Sequence, residues 1–351
     1  GESHGRSIGD VLDGLPSGEA IDWDAVRTAM ARRAPGKNKM STARSEKDAF
    51  EVQSGFFNGH TTGTPLCAII RNSDQHSRDY DQLRHIMRPG HADYSGKIRY
   101  GGFNDSRGGG HFSGRLTAPL VFAGAVASQI LARHGITVGS HILRLAGIAD
   151  KPFDAAGETA ETLQALKKET LPVLDKAQAG PMEEKILEAK NDLDSVGGVI
   201  ECMVTGLPAG IGDPFFDSVE SQLSHMMFSV PAVKGIEFGD GFALADLRGS
   251  QANDAFFYDG DTVKTRPTPN GGINGGITNG MDVVFQCAVK PTPSIGQPQQ
   301  TVDFLRGEDA ELTIHGRHDP AIIRRICPVL DSVTALVLCD LLAQRFGTDY
   351  F

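Results

Sequence analysis

The chain opens with Gly1-Glu2-Ser3-His4-Gly5-Arg6-Ser7, an imidazole on a glycine-flanked bend ahead of any apolar segment. Taken alone, such a bend reads as a solvated turn. As part of a site, His4 would give or take a proton near neutral pH. Four more glycine-rich loops carry groups of this kind. RPGHADYSGKIRYGGFNDSRGGGHFSGRLT, residues 88–117, holds Arg88, His91, Arg107, His111, Ser113 and Arg115, with three consecutive glycines ahead of an apolar run. Glycines let backbone N–H groups come close to a ligand, and the N-terminus of a following helix favours anions. NGGINGGITNG, residues 270–280, leads into an apolar strand. KPTPSIG, residues 290–296, joins a lysine and two hydroxyls to two prolines that stiffen the turn. GRHDP, residues 316–320, supports two readings of Asp319. It is a helix N-cap with Pro320 at the first helical position, or a proton acceptor oriented by Arg317 and His318. A strongly capping carboxylate would be a weak base.

Several common chemistries lack their residues. There is no GxxxxGK[ST], and GGINGG precedes a strand where a dinucleotide fingerprint would open a helix. No GxSxG elbow is present. His4, His91, His111 and His318 with Asp93 and Asp319 raise the question of a metal. However, His91-Ala-Asp93 is the only close pair apart from the adjacent His318 and Asp319, and no HExxH or paired-cysteine set accompanies them. The expected metal is none. Most of the other histidines, among them His60, His134, His141 and His225, read as ordinary surface or core residues. From Arg27 to Lys47 stand seven basic residues and one acid, Glu46, in a chain of net charge −10. The overall charge speaks against a nucleic-acid or anionic-membrane partner. The basic stretch suggests either a pocket for a small polyanion or a solvated face.

These loops must be held by a large core, and 351 residues with 40% hydrophobic content supply one. The sequence predicts strands over 65–71, 136–145, 197–205 and 281–289. It predicts helices over 23–33, 117–134, 161–171, 182–191, 217–228 and 331–345. The helices near 117–132 and 333–343 are apolar on nearly every side, which requires cover on both faces. Residues 161–191 are charged and broken by Pro172 and Pro181, and belong on the outside. Strands and helices mix without a βαβα beat, so the fold class is α+β, and residues 1–351 read as one domain. The run 118–132 is too short to cross a bilayer. An odd set of five cysteines, Cys67, Cys202, Cys287, Cys327 and Cys339, points to reduced thiols and a cytoplasmic protein.

Taken in order, the loops resemble the chorismate synthase family. GESHGRSIGDVLDGLPSG (1–18), GHFSGRLTAPLVFAG (110–124) and GRHDP (316–320) are similar to its three signatures. RPGHADYSGKIRYGG, GLPAGIGDPFFD, PAVKGIEFGDGF and LRGSQAND follow between them in the family's order. The resemblance covers essentially the whole chain. Members carry a short strand before the first signature, so the chain is expected to lack its native start. The resemblance implies a β-α-β sandwich, with apolar helices between antiparallel sheets, assembled as a homotetramer. The implied activity is a 1,4-anti elimination of phosphate from 5-enolpyruvylshikimate 3-phosphate (EPSP), giving chorismate, with reduced FMN and no net redox change.

The resemblance also carries residue roles. His4 would protonate the leaving phosphate, and His91 the reduced flavin near N1. Asp319 would accept the ring proton together with flavin N5. Arg33, Lys39, Arg44, Arg88, Arg115 and Arg317 would surround the substrate's phosphate and carboxylates. FMN contacts would come from His111, Phe112, Ser113, Ala232, Gly275, Lys290, Pro291, Thr292, Pro293, Ser294 and Arg317. The sequence departs from the family at His111-Phe112-Ser113-Gly114-Arg115-Leu116-Thr117, where Arg-Ser-Ser-Ala-Arg-Glu-Thr is common. It departs also at Pro231, often Asn, and at Lys39, frequently Arg. With no extra domain visible, FMN reduction is expected from outside, with NADPH at most an indirect reductant. The alternatives are a non-catalytic flavin- or phosphate-binding protein and a metal-dependent phosphatase.

Overall fold

The computed structural model describes residues 1–36, 39–40, 48–72, 85–266, 269–314 and 319–351. Its helices, among those residues, are α1 (Trp23–Arg33), α2 (Asp93–Arg99), α3 (Thr117–Arg133), α4 (Ala160–Leu166), α5 (Ala179–Asn191), α6 (Val219–Ser229), α7 (Gly249–Ala252) and α8 (Ile323–Phe346). A five-stranded antiparallel sheet runs in the order 233–238, 283–289, 198–205, 137–145, 148–149. A three-stranded sheet runs in the order 7–12, 66–71, 50–54.

Helices α3 and α8 pack against each other between these sheets. α8 lies on the strands 137–145 and 198–205, and α3 on the strands 7–12 and 66–71. Ala118, Val121, Phe122 and Val126 of α3, and Val329, Leu330, Val333 and Leu338 of α8, are all buried. This is the β-α-β sandwich that apolar, small-residue helices require, because each helix meets a sheet on one side and a helix on the other. The two helical stretches Gly114–Arg133 and Ile323–Phe346 are long and apolar enough to cross a membrane by length and composition, and most of each is buried in the fold. The first is therefore longer than the run the sequence suggested.

The four expected strands form within two residues of their predicted ends. α1 matches its expected span because Asp22 caps it, accepting from the backbone N–H of Asp24 and Ala25. Two expectations fail at prolines. α8 begins at Ile323 instead of near 331 and carries Pro328 in its interior, where Ile323, Ile326 and Val329 already lie in the core. Pro181 falls in the first turn of α5, a position that needs no proline N–H, so it starts the helix and does not break it. The expected helix over 161–171 ends at Leu166, and Lys168 and Glu169 close single turns onto Ala165 and Leu166.

His141, expected to be ordinary, sits at the centre of a buried ionic latch. Its Nδ1 is 3.0 Å from Asp150 Oδ2 and its Nε2 2.9 Å from Glu201 Oε2. The same carboxylates accept the backbone N–H groups of Phe153, Leu174 and Asp175, tying the 150–175 segment to the sheet. Burial works against the charged ring, but the bonds to Asp150 and Glu201 raise its pKa above the ordinary 6.5. Stability from this latch is thus fully present below pH 6.5 and is lost as pH rises through the higher folded value. Melts from pH 6 to 9 should show a falling Tm in the native protein and a flatter profile in His141→Gln. Equal slopes would remove the latch. Separately, a Cβ on Gly124 of α3 would overlap Ser332 of α8, backbone included. Gly124→Ala should cost about 1–3 kcal/mol in denaturant unfolding, as overpacking does. An unchanged midpoint would contradict that close approach.

Candidate functional site

Three groups of side chains build the site. The first surrounds His4, which is 3% exposed and so is not the bare imidazole its sequence suggests. Its Nδ1 is 3.1 Å from Ser3 Oγ, and Ser3 Oγ lies 3.3 Å from the Arg107 carbonyl. The single hydroxyl proton of Ser3 goes to that carbonyl, so its oxygen accepts from His4 Nδ1–H. Nε2 is then the ring nitrogen that Ser3 does not engage. The triple glycine explains how the ring fits. Gly108, Gly109 and Gly110 take φ of +61, +98 and +52°. A Cβ on Gly108 would overlap the His4 ring, and one on Gly109 would stand 3.4 Å from His91 Cε1. The sequence suggested that these glycines admit a ligand. In the structure they admit the protein's own two histidines, on consecutive residues.

The second group surrounds His91. Asp93 at the start of α2 accepts from Arg88 Nε and Nη2, both at 2.7 Å, and lies 2.7 Å from His91 Nδ1. Burial opposes a charge on Asp93, yet the bonds from Arg88 and His91 hold its carboxyl well below the usual range. The 2.7 Å contact with an ionised Asp93 outweighs the 3.1 Å approach of Arg88 Nη2 and makes His91 Nδ1 a donor, so Nε2 is the ring nitrogen outside this cluster. The 290–294 turn closes on this loop. Lys290 donates to the Gly90 carbonyl, Pro293 packs at Gly90, and Arg88 Nη1 reaches Ser294 Oγ at 3.5 Å. Ala232 joins the same end, its carbonyl accepting from Lys290 N–H at 2.9 Å. Phe112 lies against Gly96 of α2. With Gly109, Asp93 and Lys97 it lines a cavity of about 260 Å³. His111 is exposed and Ser113 half-buried; the Ser113 hydroxyl accepts from Arg115 N–H at 3.2 Å. Gly275 is not brought to this group. It turns the 273–278 hairpin beside the start of strand 283–289, whereas Lys290 follows its end. At about 3.3 Å per residue the two lie on the order of 20 Å apart.

The third group is a buried charge network that links three helix ends. Asp48 accepts from Arg33 Nη2 at 2.5 Å and Nε at 3.1 Å, and its other oxygen pairs with Arg115. Arg115 Nε also donates to Asn72 Oδ1 at 3.0 Å. Burial lowers the Arg33 pKa to about 10, against the pull of Asp48. Arg325 of α8 donates its Nε to the Arg33 carbonyl at 2.8 Å and its Nη1 to Asp319 Oδ2 at 2.7 Å. Asp319 is 8% exposed and does not cap α8, whose N-cap is Ile322. Among the described residues, its Oδ1 takes only a long 3.4 Å bond from Ala321 N–H. The helix-start reading of Asp319 is therefore corrected: its main partner is a guanidinium, not the backbone. Lys39 points elsewhere, with its ammonium 2.6 Å from Glu183 of α5. Arg27 and Arg32 pair with Asp24 and Asp331. The described part of the basic stretch thus disperses onto separate acids and does not form one pocket. Arg44, Arg317 and His318 lie outside the described residues, and no group that could hold a metal ion occurs among the described ones.

The chorismate synthase family model matches residues 1–343. A chorismate synthase of Methanosarcina acetivorans is 44% identical over 340 residues, covering 97% of this chain and 92% of that protein. One from Dehalococcoides mccartyi is 43% identical over 347 residues, covering 99% and 94%. A crystal structure of chorismate synthase superposes with a TM-score of 0.76 at 26% identity, covering 99% of this chain and 91% of that one. The chain belongs to the chorismate synthase family.

Chorismate synthases are carbon–oxygen lyases of the shikimate pathway that act on a phosphorylated small molecule, and a flavin goes with the family. This chain carries out that elimination, giving chorismate, and the non-catalytic alternative is not favoured. In these terms the sequence reading missed four chorismate synthase residues that hold the others in place: Asp48, Asn72, Asp93 as a partner of Arg88, and Arg325. Asp93, two residues from His91, could have been found by its spacing. Asp48 and Asn72 carry no local signal, because their partners lie across the fold. If the glycine run exists to seat His4, Gly108→Ala should lower kcat at least tenfold with near-UV circular dichroism unchanged. A kcat within twofold of native would break the link between the glycine and the ring.

Proposed function

We propose that this chorismate synthase works on reduced FMN held where the 290–294 turn meets the 88–93 loop, and that His4, His91 and Asp319 move its protons. The observation that carries this reading is the shared wiring of the two histidines. Each has Nδ1 engaged by a neighbour, and both rings rest on the same glycine run. The residues present suit a flavin. Thr292 Oγ1 is enclosed and without a partner, Lys290 and Ser294 flank it, and Phe112 with Gly109 walls the adjoining cavity. Ala232 closes the same end, and His111, Ser113, Pro291, Pro293 and Arg317 complete the proposed cofactor contacts. Gly275 remains in that set on resemblance alone.

When bound, reduced FMN supplies an electron transiently as phosphate leaves, with no net redox change. The protein's part is charge and proton placement. The C–O bond breaks with its electron pair on the phosphate, and His4 Nε2 gives that oxygen a proton. Asp319 Oδ1, the less engaged oxygen, takes the ring proton, so the substrate loses one proton and the phosphate gains one. Arg33 and Arg115 present one net positive charge after Asp48 is counted, in positions fixed by burial. With Arg88, they face the phosphate and carboxylates of EPSP, joined by Arg44 and Arg317. Lys39 has less support, since it is held by Glu183. His91 keeps a proton at Nε2 towards the flavin. A homotetramer, a cytoplasmic location and external reduction, with NADPH as an indirect source, complete the reading.

The test is anaerobic phosphate release from EPSP with chemically reduced FMN, with a second arm in which NADPH replaces the reductant. Release that requires reduced flavin and yields chorismate is expected, with little in the NADPH arm. His4→Ala, His91→Ala and Asp319→Asn should each cut kcat by 100-fold or more, the range of general acid–base catalysis. A near-native rate in any one removes that residue's role.

A further inference from the structure

Nearly every described cation of the site already has an acid. Arg33 and Arg115 share Asp48, Arg88 has Asp93, Arg325 has Asp319, and Arg107 has Asp105. Arg324 breaks the pattern. It is the second residue of α8, beside Arg325, yet Nε and Nη2 of its guanidinium are enclosed without a hydrogen-bond partner among the described residues. Its position is unfavourable in three ways. Cations in the first turn of a helix meet the positive end of the helix dipole. Arg325 next to it adds like charge, and burial removes water that would otherwise solvate both. Burial accordingly pushes the Arg324 pKa down, and Arg325 pushes the same way against the pull of Asp319. A fold gains nothing from an enclosed, unpaired guanidinium here, since an apolar side chain of similar length would fill the space at lower cost.

We infer that Arg324 is a further substrate-binding residue, whose guanidinium pairs with an oxyanion of the bound substrate, phosphate or carboxylate, beside Asp319. This rests on the lyase reading above. The charge balance supports it: the acids nearby are committed to other arginines, and an anion arriving with the substrate would satisfy both enclosed nitrogens at once. Arg is suited to that by its two-pronged donor geometry. Its role is to hold the substrate, whereas Asp319 acts on the ring proton.

The variants are Arg324→Met, which keeps length and removes charge, and Arg324→Lys, which keeps charge and loses the fork. In Arg324→Met the KM for EPSP should rise about 10- to 100-fold, the range for a charge-assisted bond, with kcat within about threefold of native. Its Tm should rise by a few degrees, because an unpaired buried charge has gone. Arg324→Lys should fall between the two in KM. Competitive inhibition by inorganic phosphate and by shikimate separates the sources, and the weakened inhibitor names the oxyanion. An unchanged KM overturns the inference, as does a lower Tm accompanied by parallel losses in kcat and KM, which would mark a structural role. Should the native protein fail to turn over EPSP, the lyase reading falls. Arg324 is then judged by whether millimolar phosphate or shikimate raises the Tm of native protein but not of Arg324→Met.

Discussion

The close approach of α3 and α8 at Gly124 and Ser332 is the constraint on which the site depends. Arg115 and Thr117 stand at the start of α3, and Asp319 and Arg325 at the start of α8. Where the helices cross decides how far apart these groups lie. A glycine at the crossing removes the side chain that would separate the axes, and Ser332 turns its hydroxyl back to the Pro328 carbonyl, so its Cβ and backbone lie against the glycine. Sheets on either side then hold the pair, so the helix starts form one rigid edge. Binding and proton transfer demand that kind of support, since misplacement by an ångström is costly.

On this edge the protein buries an unusual amount of charge. Asp48 joins two guanidiniums that would otherwise repel, and Arg325 extends the chain of contacts to Asp319 through the Arg33 carbonyl. Such networks add little net stability, because desolvation offsets the attraction. Their use here is orientation. The arginines are held in place by the protein itself, and in the proposed role a ligand with three anionic groups would meet donors that need not reorganise. Arg324 carries this further, with charge left uncompensated in the protein alone.

The glycine run 108–110 shows how a motif can be noticed without the groups that it seats. Three glycines in a row signal a close backbone approach, and that part was legible. What approaches them came from elsewhere in the chain: His4 from the first bend and His91 from the loop before α2. Of the two readings of Asp319, the local one failed. Asp-Pro has a strong local explanation as a helix start, but Ile322 took the cap and a guanidinium six residues on took the carboxylate. The GGINGG turn, by contrast, behaved as its local chemistry predicts, with positive φ at Gly275 and Gly276 closing a two-residue hairpin.

Local pattern alone determined the strands, the two helices apolar on every side and hence the sandwich, because burial periodicity is written residue by residue. The ordered loop motifs identified the family and its chemistry before any coordinate. Only the tertiary structure decided which acid each base meets. Lys39 went to Glu183 and Arg33 to Asp48, although the two stand six residues apart in one basic stretch. It likewise left Arg324 unpaired beside a paired Arg325. Ion pairing acts through space over a few ångströms, and a chain's order does not encode which distant carboxylate will be there.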